Sequence, residues 1–283
     1  MTNCDILIFT VKKGQNLKGA VKLGIVISVV NQKGGVAKTT TAVNLAAAIG
    51  QKNKKVLLVD LDPQGNATSG IGLSKKGLKY TTYDVIMGDV RPADAVVSTT
   101  YKNVWVLPAT QTLAEGELRL AAFDNKTLQL KKALLQIKDD YDIILVDCLP
   151  SLGVLALNGI SACDRIIIPM QCEPYSLEGV AELLATVKRV KNSTNKGLQI
   201  MGIVFTMLDK RLMVNREVVE NIKQKFPPDS IFKTEIPRNV KISEAPSHGE
   251  PITYYDPSSK GAEAYRMLAA EVLKKAAAAQ KML

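Results

Sequence analysis

Residues 29–40, V-V-N-Q-K-G-G-V-A-K-T-T, constrain this chain more than any other stretch. An apolar run over 25–30 leads into them and an alanine-rich pattern of helical spacing follows over 41–49, an order that predicts strand, phosphate loop, helix. Glycines let a backbone wrap tightly around a polyphosphate with its N–H groups turned inward. The first helical turn adds unpaired donors and the positive end of its dipole. On this reading Lys33, Gly34, Gly35, Val36, Ala37, Lys38, Thr39 and Thr40 form the cradle, with Lys38 reaching the outer phosphates and the Thr39 hydroxyl holding Mg²⁺. The general P-loop pattern places glycine six residues before the lysine and immediately before it. Gln32 and Ala37 stand there instead, so the stretch is a variant with a second lysine, Lys33.

Strand-like and helix-like runs alternate along all 283 residues, and 46% hydrophobic content with only 5% aromatic suits a Val/Ile/Leu-rich parallel sheet. The expected fold is a single α/β domain with a mostly parallel central sheet and helices on both faces. Further strands are expected over 56–60, 104–108, 143–147, 165–170 and 199–206. Helices are expected over 83–88, 92–98, 113–123, 128–137, 176–190, 214–226 and 258–281. The domain begins convincingly at residue 24. Residues 1–23 read as a loosely docked extension, and the sequence leaves open an extra strand through Ile6, Leu7, Ile8 and Phe9.

Two of these strands end in acids. In parallel α/β sheets the carboxyl ends of strands line the ligand crevice, which brings Asp60, Asp62 and Asp147 beside the phosphates. Asp60 suits contact with waters around the metal, Asp62 suits orientation of an attacking water, and Asp147 has the Walker B placement that holds Mg²⁺ through water. The loop over 148–153 follows Asp147 closely enough to sense a γ-phosphate.

A net charge of +10 favours a polyanionic partner, nucleic acid before an acidic membrane. The four cysteines show no metal-ligand spacing, the single histidine, His248, argues against a histidine triad, and no apolar run approaches the ~20 residues that cross a bilayer. Residues 1–11 carry their charges in the wrong order for a secretory signal, so a cytoplasmic protein is expected.

Four motifs in order, K-G-G-V-A-K-T-T, V-D-L-D-P-Q-G-N-A-T-S-G, L-V-D-C-L-P-S-L-G and E-I-P-R-N-V-K-I-S-E-A-P-S-H-G-E-P-I, make the chain from about residue 25 onward resemble the ParA/Soj family of chromosome and plasmid partition ATPases, which share a deviant Walker A motif with MinD. The resemblance implies a P-loop ATPase using ATP and Mg²⁺, whose ATP-bound form is a face-to-face homodimer. It implies that Lys33 crosses to the partner's phosphates, Lys38 binds nucleotide in its own subunit, Asp62 is critical for hydrolysis, and Pro237 and Asn239 lie near the adenine. It further implies non-specific binding to nucleoid DNA through basic residues, with Lys188, Arg189, Lys191, Lys210, Arg211 and Arg216 as the residues expected to do this and Lys274 and Lys275 behind them. A ParB-like partner would stimulate hydrolysis. Two positions depart from the family pattern: Ala37 replaces a glycine, and Leu149 replaces the first of a proline pair. The alternative is a MinD-like membrane-positioning ATPase, which needs a bulky amphipathic C-terminal helix; the tail here spends its middle on four alanines.

Overall fold

Runs of Val, Ile and Leu become the strands β1 (Ile25–Val29), β2 (Val56–Leu61), β4 (Val104–Leu107), β5 (Ile143–Cys148), β6 (Arg165–Gln171) and β7 (Gln199–Thr206), and a two-residue strand β3 (Val97–Ser98) joins them. The computed structural model describes residues 24–173 and 176–280, so the extension expected over 1–23 lies outside the described residues, as do Cys4 and the last three residues of the tail. The strands form one sheet in the order β3-β4-β2-β5-β1-β6-β7, parallel throughout except for β3.

Side chains alternate across the sheet and divide the core in two. Ile25, Ile27 and Val29 of β1 and Ile143 and Leu145 of β5 pack with the helix Lys38–Gln51 and the C-terminal helix Lys260–Gln280. Val26 of β1 and Ile144 and Val146 of β5 face the helices Val154–Ala162, Ser176–Ser193 and Met213–Lys225. With both faces covered, the central strands are buried end to end, the pattern of a parallel sheet.

The chain leaves β1 toward β2 and β4 on one side, returns through β5, and lays β6 and β7 on the other. A crevice therefore opens at the carboxyl end of β1. Parallel register places Val29 opposite Asp147 and Asp147 opposite Asp60, so both strand-end acids flank the start of the phosphate loop.

The helix expected over 92–98 stops at Ala95, because the β-branched Val96 and Val97 go extended and Val97–Ser98 pairs antiparallel with Trp105 and Val106. The helix Val154–Ala162 was not foreseen: it is apolar nearly all round, so no 3.6-residue stripe marks it.

Candidate functional site

The loop after β1 is clamped before it is shaped. Asn31, buried, donates from Nδ2 to the Pro169 carbonyl at 2.7 Å and accepts the Lys33 amide at 3.0 Å, which ties the loop's entry to the end of β6. Gly35 and Ala37 then take the left-handed conformation, with φ of 73° and 64°, and the helix starts at Lys38. The Thr206 hydroxyl donates to the Val36 carbonyl at 3.1 Å and anchors the middle of the loop to β7. A Cβ added at Gly34 or Gly35 would meet nothing within 4 Å, so this part of the loop is open to whatever approaches it.

Lys38 is only 6% exposed, and its ammonium donates to the Lys33 carbonyl at 2.8 Å. Burial lowers its pKa, and Asp147 is the strongest of the charges pulling it back up. Asp147 is wholly buried and both its oxygens are without a hydrogen-bond partner. Burial, then the neighbouring Asp60, raises its pKa well above the ordinary range, while the Thr39 hydroxyl lies close enough to lower it without making a bond of normal geometry. Orphaned buried acceptors beside a threonine hydroxyl are the donor set a hydrated divalent cation satisfies, so these residues fit Mg²⁺.

Asp60 is differently employed. One oxygen accepts the Thr68 amide at 2.8 Å and the Thr68 hydroxyl at 2.7 Å, and the other accepts the Asp62 amide at 3.2 Å. Its carboxylate therefore braces the loop carrying Asp62, and burial still pushes its pKa up to about 6. Asp62, partly exposed, accepts the Gln64 amide at 2.9 Å and lines the cleft.

That cleft, about 770 Å³, runs from Gly35, Lys38 and Thr39 past Asp62 to Pro237 and Asn239. The latter pair reaches it because Ile231 bridges to Ile203 of β7 and Pro237 bridges to Leu208 just beyond that strand, and Asn239 caps the short helix Val240–Glu244. Of the residues named from sequence, Gly35, Ala37, Lys38, Thr39, Thr40, Asp62, Pro237 and Asn239 line this cleft, while Asp60 and Asp147 are buried beneath it. Pro150 of the loop after β5 joins it, while Leu149 turns inward and is buried in the core.

The basic residues are not brought together. Lys188, Arg189 and Lys191 are exposed near the end of the Ser176–Ser193 helix, where Asn195 bonds the Ser161 and Cys163 carbonyls at the amino ends of the strands. Lys210, Arg211 and Arg216 are exposed at the opposite end, after β7, where Lys210 pairs with Glu235 and Arg211 with Asp209. Lys275 is occupied internally, donating to the Met201 and Asp229 carbonyls.

The AAA_31 family, described as an AAA domain, matches residues 24–200. The sporulation initiation inhibitor protein Soj of Bacillus subtilis is 49% identical over 250 residues, covering 88% of this chain and 98% of that one. The chromosome-partitioning ATPase Soj of Treponema pallidum is 47% identical, covering 89% and 98%. The chain belongs to the Soj/ParA family. Among solved structures, cobyrinic acid a,c-diamide synthase from Mycobacterium smegmatis, with bound ATP analogue and magnesium, superposes with a TM-score of 0.78 at 36% identity, covering 89% of this chain and 95% of that one.

Sequence reasoning missed three residues of this Soj-family site: Asn31, Thr68 and Glu173. Asn31 and Thr68 carry no clear local signal, since the Pro169 carbonyl that Asn31 reaches and the Ala109 amide that the Thr68 hydroxyl accepts are brought near only by the fold. Glu173 did carry one. It stands two residues past the end of β6, the same strand-end position that drew attention to Asp60 and Asp147.

Proposed function

We propose that this chain is a Mg²⁺-dependent ATPase of chromosome or plasmid partitioning, with residues 24–283 as its ATPase domain. The observation that carries this reading is the orphaned, buried Asp147 carboxylate beside Thr39 and the buried Lys38 ammonium, under an open glycine loop. Family membership supports phosphoanhydride hydrolysis, and chromosome partitioning is the role by which the Treponema relative is named.

In this reading the loop amides and Lys38 hold the β- and γ-phosphates, while Pro237 and Asn239 flank the base. Thr39 and Asp147 hold Mg²⁺, which when bound offsets charge on the phosphates. Asp62 orients the attacking water, and Asp60 fixes the loop from which it does so. Lys33 serves the nucleotide of a second copy, so the charge cage is complete only in a face-to-face dimer, and association and hydrolysis are linked. The dimer binds nucleoid DNA without sequence preference, in the cytoplasm, and a ParB-like partner triggers its release. The MinD-like alternative is less well supported, because Val272, Ala276 and Ala279 of the C-terminal helix are spent in the core.

Asp62→Ala tests the assignment. ATP binding, dimerisation and DNA binding are expected to persist while stimulated hydrolysis disappears; turnover that survives the change removes Asp62 from the mechanism.

A further inference from the structure

Lys33 has a fixed base and a movable head. Its amide is held by Asn31 and its carbonyl by the Lys38 ammonium, so only its side chain is free to turn. That side chain does not point to bulk water. Its Nζ lies 2.6 Å from Oε2 of Glu173, on the loop after β6, with Lys33 38% and Glu173 52% exposed. The contact therefore bridges the phosphate loop and the β6 loop within one subunit, beside the open Gly34–Gly35 surface to which a partner has access.

We infer that Glu173 is a positioning residue for Lys33, which holds the ammonium in its own subunit until the phosphates of a second copy displace it. This rests on the dimer reading given above. An exposed ion pair is weak and screened, which suits a contact that has to break. A polyphosphate offers the ammonium more negative charge than one carboxylate, so the exchange runs toward the partner once its nucleotide is near. Glu173 thus opposes dimerisation in the absence of triphosphate.

Glu173→Gln removes the charge and keeps the shape. Sedimentation equilibrium with a non-hydrolysable ATP analogue and Mg²⁺ should show its dimer dissociation constant lowered roughly two- to fivefold at low salt, with the gain shrinking as salt rises. Because the effect passes through Lys33, a Lys33→Ala/Glu173→Gln double variant should dimerise no more tightly than Lys33→Ala alone. A Glu173→Gln dimer that is unchanged or weaker overturns the inference, as does equal tightening in the Lys33→Ala background. If the unaltered chain forms no nucleotide-dependent dimer, the dimer reading falls and this inference with it. A sound dimer that ignores Glu173 overturns this inference alone.

Discussion

Ala37 sits with φ of 64° immediately before the phosphate-loop helix, a conformation that puts its Cβ against the following carbonyl. Ala37→Gly should relieve that contact and stabilise the chain by roughly 0.5–1 kcal/mol after the added chain entropy of glycine is counted, as read from urea denaturation. The departure from the family's glycine is therefore a local cost in stability, and it removes no backbone donor. A second residue-scale consequence comes from Asp60, whose folded pKa of about 6 stands above its ordinary 3.8. The folded state binds this proton more tightly than the unfolded state does, so the contribution is complete below the ordinary pKa and is lost as pH rises through 6. The loss is about 3 kcal/mol. Nucleotide-free protein should accordingly lose urea resistance between about pH 4 and 6, and Asp60→Asn should flatten that slope. A slope of the opposite sign, unchanged in Asp60→Asn, would show that Asp60 ionises normally.

Among the elements, the helix Val154–Ala162 packs tightly on the sheet at Gly159. A Cβ at Gly159 would come 2.6 Å from the Cys148 Sγ and 3.1 Å from Leu61 Cδ2, while the Ser28 hydroxyl donates to the Gly159 carbonyl at 2.8 Å. Gly159→Ala should cost about 1–3 kcal/mol by overpacking, measured as a lower urea midpoint with unchanged slope. Here the limits of sequence reading are physical. Strands β1, β2 and β5 were legible because buried parallel strands are continuous apolar runs, and the loop after β1 because its glycines, lysine and threonine are local. The Val154–Ala162 helix was hidden by having no polar face. The bond from Asn31 to the Pro169 carbonyl joins chain segments that only the sheet order brings together. Asp60 stands opposite Asp147 near the end of β2, yet Thr68 and the Asp62 amide take up its oxygens, a fact that spacing does not contain.

At the scale of the whole molecule, the basic residues named for DNA binding fall in two groups at opposite ends of the sheet, Lys188, Arg189 and Lys191 at one and Lys210, Arg211 and Arg216 at the other. Lys210 and Arg211 are further offset by Glu235 and Asp209. DNA affinity should therefore depend on dimerisation and fall steeply with salt, with log K against log salt sloping at about −0.9 per phosphate neutralised. A salt-insensitive complex would contradict the electrostatic account. The central claim is that the glycine loop takes a triphosphate and that Lys33 leaves its own subunit to complete a partner's site. A crystal structure grown with a non-hydrolysable ATP analogue and Mg²⁺ tests it most directly. The account predicts phosphates under the Lys38 ammonium and the Lys33 Nζ moved from Glu173 onto the phosphates of the second copy. An empty loop, or a nucleotide-loaded pair in which Lys33 still rests on Glu173, would contradict it.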